Sequence, residues 1–367
     1  MKKNTFYIIL LLMISFNHIQ AQQSELTNID FFDNVNSYQR IVLSNDQNDD
    51  YWFYPRIKSY CIINNELYVF GNFKKIDNVK CEVIAKYDGT SWKQFGNAST
   101  LNQINNKDHI RCIYGFNGEL YLGTYEGVKK WNGTNWVSEV CEKDGKKAEI
   151  CCVNHFCVYN NQLYASSGEV PGGEPVKLFR LEGSVWKNLS NSFVTCLDRI
   201  SNLTVFNNSM YISGIWGGVK SLFKEDGVEK EYFLEFNGTT FKPIRNYCPE
   251  KYPQKGECEC YVHFLKNVAT DNGIYTAWGI GSSNEGGVYY WDGKSYTKLF
   301  SDRDSKSIVK FNNFIVASTY KDNIALIENG EIRKWVKLPL FDPKDYEKYD
   351  YPELIVYNNK ILFTVHE

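Results

Sequence analysis

The sequence predicts an all-β chain, a seven-bladed β-propeller of four-stranded antiparallel blades whose N-terminal strands complete the C-terminal blade. Three observations carry this expectation. One hairpin signature recurs seven times at a near-constant spacing, a second follows most copies, and the two chain ends hold complementary parts of one unit.

The first signature is a tight, Asn-rich turn followed by a strand centred on Leu-Tyr or its equivalent. It reads NNELYVF (Asn64 to Phe70), NGELYLG (Asn117 to Gly123), NNQLYAS (Asn160 to Ser166), NNSMYIS (Asn207 to Ser213), DNGIYTA (Asp271 to Ala277), NNFIVAS (Asn312 to Ser318) and NNKILFT (Asn358 to Thr364). Asn-Asn and Asn-Gly tolerate the positive φ that two-residue hairpin turns require. From Tyr68 to Leu362, the same position in the first and seventh copies, the mean step is about 49 residues, a period nearer the kelch type than the WD type.

The second signature is a turn and then an aromatic residue: YDGTSW (Tyr87 to Trp92), WNGTNW (Trp131 to Trp136), LEGSVW (Leu181 to Trp186), FNGTTF (Phe236 to Phe241) and WDGKSY (Trp291 to Tyr296), with a degenerate IENGEIRKW ending at Trp335. Two hairpins per period make a four-stranded sheet. The seventh copy has its first hairpin and lacks its second, and FDNVNSYQRI (Phe32 to Ile41) carries the missing pattern, with Tyr38 at the aromatic position and Val35 in place of the turn glycine. An N-terminal hairpin paired against Asn358 to Val365 closes a ring and hides both sheet edges, which an open solenoid does not.

The stretch ELYVFGNFKKIDNVKCEVIAKYDGTSWKQFG (Glu66 to Gly96) resembles the kelch-like, galactose-oxidase-central-domain-like repeat of secreted bacterial proteins, although the paired glycines of true kelch repeats are mostly missing. The resemblance implies the propeller fold and a binding or interaction role.

Residues 1–21 read as a secretory signal peptide: Lys2 and Lys3, an apolar run from Phe6 to Phe16, then a polar stretch ending at Ala21. Residues 22–367 are then one domain. The apolar run is too short to span a bilayer, and no Cys follows it to take a lipid anchor. The expected product is a monomer, secreted or periplasmic, with no membrane span. The chain holds 41 basic and 43 acidic residues for a net charge of −2, and loss of Lys2 and Lys3 makes it more acidic. Such a balance argues against a nucleic-acid partner, whose phosphates ask for a basic surface. Neither a GxGxxG nor a Walker pattern is present, so no cofactor is expected.

Strands alternate direction within a blade, so the tight turns share one face of the disc and the longer, variable connections share the other. Variable loops on a rigid scaffold are where function concentrates. The candidate ligand-binding residues on that face are Trp216, Trp278, Tyr125 and Tyr320, just past the second strands, with Glu169 and Glu174 in the loop SSGEVPGGEP. Phe73 occupies the same position but reads as structural.

Eleven cysteines in an exported chain suggest disulfides. Cys141 with Cys151, and Cys248 with Cys258, each lie ten apart in an inter-blade connection and form the two candidate bridges. Cys61 and Cys157 fall on innermost strands and read as packing residues. In CCVNHFC (Cys151 to Cys157), Cys151, His155 and Cys157 share one side of a regular strand, yet a disulfide already claims Cys151, so no metal is expected. His109, His155, His263 and His366 stand in no nucleophile arrangement, and no catalytic residue is assigned. The function these features predict is an exported module that binds a glycan or a protein through its variable face. The alternatives are a polysaccharide lyase or hydrolase using that face, or a purely structural accessory propeller.

Overall fold

The structure is a computed structural model that describes residues 38–44, 55–96, 110–143, 146–148, 152–167, 176–190, 199–215, 224–225, 228–229, 233–244, 262–280, 287–301, 305, 307–319, 323–337 and 353–366. Seven blades stand in a ring. Blades 1 to 6, read from the innermost strand outward, begin with Arg56–Ile63, Ile110–Phe116, Val153–Tyr159, Arg199–Phe206, Val262–Thr270 and Ile308–Phe311. Each runs antiparallel through four strands in chain order. Blade 7 starts with Leu354–Tyr357 and Lys360–His366.

The turns form for reasons held in their own residues. Asn64 and Asn65 sit at φ of 50° and 62°, and Asn160, Asn161, Asn207, Asn208, Asn358 and Asn359 repeat that left-handed pair. In the second hairpin the leading Asp or Asn folds the turn around its own carboxyl or amide oxygen. Asp88 Oδ1 accepts from the Thr90 and Ser91 amides, both at 2.9 Å. Asn132, Asn237 and Asp292 repeat the arrangement in blades 2, 4 and 5. The glycine that follows takes φ near +100° in these turns, for example +96° at Gly89, which any other residue enters only with strain.

Packing explains why the second strands read as nearly unbroken apolar runs. Every blade is covered on both faces by its neighbours, so both alternating sets of side chains are buried. In blade 1, Leu67 and Val69 pack toward blade 7 while Tyr68 and Phe70 pack toward blade 2. Among the described residues the core falls into seven clusters, one in each seam between adjacent blades. Cys61 lies in the seam between blades 1 and 2, and Cys157 packs against the seam between blades 3 and 4. Phe73 is buried in the seam between blades 7 and 1.

Ring closure occurs where expected, in a different form. The third strand of blade 7 is Tyr38–Ser44, and it runs parallel to Lys360–His366, with Tyr38 opposite Ile361 and Leu43 opposite His366. Residues 32–37 of the expected hairpin lie outside the described residues. The outer position is filled by a two-strand excursion of blade 1, Lys75–Ile76 and Val79–Lys80, which pairs antiparallel with the N-terminal strand. Asp77, in the turn of that excursion, locks the three parts. Its Oδ1 accepts from the Val42 amide at 2.8 Å, its Oδ2 accepts from the Trp92 indole at 3.0 Å, and its own amide donates to Val42 O at 2.9 Å.

Blade 3 gains strands in the same manner. Cys141–Lys143, leaving blade 2, runs parallel to the outermost strand Val185–Asn188 and pairs with Lys146–Ala148 beyond it. In blade 6 the degenerate hairpin turns at Asn329-Gly330, so Glu328 and Glu331 face each other across the turn. Trp335 therefore lies four residues beyond the aromatic position and is 48% exposed, whereas Trp92 and Trp136 are buried.

Candidate functional site in the central channel

The innermost strands of blades 1 to 5 each carry a β-bulge at one height, between Ile57 and Ser59, Ile110 and Cys112, Val153 and His155, Ile200 and Asn202, and Phe264 and Lys266. A bulge breaks the period-two alternation and re-aims the residue after it. That residue stands five before the tight turn. Across the seven blades the position holds Ser59, Cys112, His155, Asn202, Lys266, Ser307 and Glu353.

Two of these serines tie neighbouring blades together. Ser59 Oγ accepts from the Ile113 amide at 3.2 Å, and Ser307 Oγ accepts from the Leu354 amide at 2.9 Å. Asn267, one residue further along blade 5, donates to Ser213 Oγ at 3.1 Å. These bonds satisfy groups that water reaches poorly, and they fix the height of one blade against the next.

Lys266 behaves differently. Its Nζ donates to Glu353 Oε1 at 2.8 Å and lies 5.3 Å from the centre of the Tyr60 ring. The partners belong to blades 7 and 1, neither adjacent to blade 5, so the side chain extends past blade 6 into the centre of the ring. Lys266 and Glu353 keep 26% and 25% of their side-chain surface open to solvent. Burial pushes the Tyr60 phenol above its ordinary value, with Lys266 opposing and Glu353 reinforcing. Burial works to lower Lys266, but Glu353 and Tyr60 outweigh it, and the ammonium is held above its ordinary value. Both groups are therefore protonated at neutral pH, and neither is a proton acceptor there.

Of the candidate residues read from the sequence, Tyr125 is half-buried at the end of the second strand of blade 2, and its carbonyl accepts from the Cys152 amide at 2.8 Å. Trp278 lies within Gly273–Ile280 rather than past it, opposite Phe264 and Gly287, with only its backbone described. Trp216, Tyr320, Glu169 and Glu174 lie outside the described residues, as do Cys151, Cys248 and Cys258. Cys141 is described as backbone in the strand added to blade 3. The bulge before His155 alters the one-sided pattern read in CCVNHFC, and Cys157 donates weakly to Val158 O in a packed seam. Among the described residues no group of three His, Cys, Asp or Glu side chains is placed to hold a metal ion.

Sequence reasoning missed the channel cluster. The signal that finds it is alignment on the tight turns, then reading five residues back, where a Lys and a Glu stand among small polar residues.

No family model matches the chain, and no curated protein matches it either. Among solved structures it is similar to the extracellular domain of the one-component system BT4673 from B. thetaiotaomicron, at 12% identity and a TM-score of 0.51 over 80% of this chain. A second structure of that domain, described as a hybrid two-component system, gives 12% and 0.52. The chain spans 34% of the length of each of those chains. YCF48 bound to D1 peptide matches at 13% identity and a TM-score of 0.42 over 71% of this chain and 75% of that one. Likeness at this identity shows the propeller fold.

Proposed function

We propose that this chain is an exported binding module whose variable-loop face and channel mouth engage a glycan or another exported protein. The observation that carries the reading is the meeting of Tyr60, Lys266 and Glu353 from three blades in the channel, with the charged pair still a quarter exposed. A polar group set that is fixed by a rigid ring and open to solvent is what a binding mouth requires. The leader-like residues 1–21 and the likeness to a domain described as extracellular support export.

Trp216 and Trp278 are the anchors assigned to this face. Binding on a glycan array and in pull-down from an envelope fraction tests the reading. Trp216→Ala and Trp278→Ala are expected to weaken binding by about 1 to 3 kcal/mol at an unchanged melting temperature. If both variants unfold early, the two residues are core and the assignment fails.

A further inference from the structure

Blades 1 to 3 neutralise themselves near the tight-turn face. In blade 1, Glu66 accepts from Tyr68 OH at 3.0 Å and from Lys86 Nζ at 2.8 Å. Blade 2 repeats the set with Glu119, Tyr121 at 2.8 Å and Lys130 at 2.7 Å. In blade 3, Arg180 stands opposite Tyr164 and pairs with Glu182.

Blade 4 breaks the pattern at each of these positions. Ser209 replaces the glutamate, and Glu235 replaces the cation opposite the tyrosine, here Tyr211. Asn237 stands where Asp88 in blade 1 holds Lys93 at 2.6 Å, so the corresponding Lys242 loses its partner. The seam to the next blade also lacks a hydrogen bond that two other seams have. Tyr159 OH donates to Asn208 O at 2.7 Å across the seam between blades 3 and 4, and Tyr357 OH donates to Asn65 O across the seam between blades 7 and 1. The equivalent residue in blade 4 is Phe206, which, like Phe116 of blade 2 and Phe311 of blade 6, has no hydroxyl to give. A Cβ on Gly293 meets only Phe206, at 3.9 Å, and one on Gly133 or Gly183 meets nothing within 4 Å, where one on Gly89 meets Asn358 at 3.4 Å and Tyr357 at 3.6 Å.

An open pocket of about 570 Å³ lies between blades 4 and 5, lined by Tyr211, Glu235, Lys242, Asn207, Phe206 and Trp291 among others. Glu235 Oε1 accepts from Ser209 at 2.8 Å. Among the described residues, the Tyr211 hydroxyl has no hydrogen-bond partner and Lys242 has no ion pair. Tyr211 is buried, Glu235 half-buried and Lys242 exposed, so a phenol and an ammonium that are matched in blade 1 border one hollow here without such partners.

We propose that this seam is a second binding site, separate from the variable face, and that it takes a short neutral saccharide. Glu235 accepts hydrogen bonds, Lys242 donates them, and the phenol and the Asn207 amide do both. A sugar hydroxyl also does both, so one neutral ligand matches the whole set. A ligand of single charge meets one of Glu235 and Lys242 and is repelled by the other. The pocket is within the usual size range for small-ligand sites, and Phe206 and Trp291, both nearly buried, form the apolar part of its lining.

The test uses the full chain with cellobiose, maltose and lactose at millimolar concentration, and with diglycine as a zwitterionic control, read by saturation-transfer NMR and calorimetry. At least one disaccharide is expected to bind and diglycine is not. Ser209→Glu with Glu235→Lys rebuilds the blade 1 pair inside the cavity, and is expected to weaken binding about tenfold or more at an unchanged or higher melting temperature. Lys242→Ala, on an exposed side chain, is expected to weaken binding several-fold and decides the matter if the double variant does not fold. Failure of all three disaccharides, binding of diglycine alone, or unchanged affinity in the variants overturns the proposal. None of these outcomes touches the variable face, which Trp216→Ala and Trp278→Ala probe.

Discussion

Asp77 holds the ring shut through one carboxylate, and its replacement isolates the energy of closure. Both oxygens are used, one by the Val42 amide of the N-terminal strand and one by the Trp92 indole of blade 1. A hydrogen bond to a charged group contributes about 1.5 to 3 kcal/mol net, and the lower end applies because both bonds are only partly buried. Asp77→Gly removes both and leaves two donors unpaired, without strain at a backbone φ of 46°. The expected loss is about 3 kcal/mol, a substantial part of the roughly 5 to 15 kcal/mol that stabilises a typical domain. Asp77→Asn keeps the left-handed turn and one good acceptor, but its NH2 faces a donor, so the expected loss is about half as large. Urea unfolding gives the two free energies, and hydrogen exchange at the Val42 amide reports whether the N-terminal strand has detached. If Asp77→Gly unfolds within about 0.5 kcal/mol of wild type, or the Val42 amide exchanges no faster, Asp77 does not lock the ring.

Tyr357→Phe removes the hydroxyl that crosses from blade 7 to the Asn65 carbonyl. It is expected to cost about 1 kcal/mol in chemical denaturation, and no measurable cost means that water replaces the bond. Stability should fall in alkali, because Lys266 and Tyr60 both have folded values raised above their unfolded ones near pH 10. The contribution is complete below that pH and is lost as the pH rises through the folded values. Lys266→Met should flatten the decline of melting temperature above about pH 10, and parallel curves would remove Lys266 from the explanation. In exported protein, Cys141–Cys151 and Cys248–Cys258 are expected as disulfides worth about 2 to 3 kcal/mol each, and non-reducing peptide maps that find all four as free thiols remove the idea.

What the sequence made legible was local chemistry. Asn64-Asn65 and Asp88-Gly89 announce their turns because the left-handed conformation and the side-chain acceptor reside in the turn residues themselves. Spacing of such turns is enough to count blades. The direction of the closing strand was not legible, since YQRIVLS alternates equally well in a parallel or an antiparallel partnership. Ile41 and Leu43 are buried in either case. Nor was Asp77, whose partners lie 35 residues before it and 15 after it. Trp335 misled because the blade 6 hairpin turns at once on Asn329-Gly330, which puts Glu331 rather than Trp335 at the aromatic position.

The channel cluster was illegible for a sharper reason. At the position after the bulge, a serine is short and is satisfied at once by the backbone of the next blade, as Ser59 and Ser307 are. A lysine there is long enough for its stem to carry the charge past blade 6, to Glu353 of blade 7 and Tyr60 of blade 1. It finds Glu353 at the same height because both stand five residues before a turn, 87 residues apart in the chain. A charge alone in this setting is costly to hold, so the ring tolerates the lysine only with the glutamate present. Seven copies of one strand thus bring together residues far apart in the chain, and the blades that depart from the repeat, rather than those that obey it, place the polar groups on which the proposed binding rests.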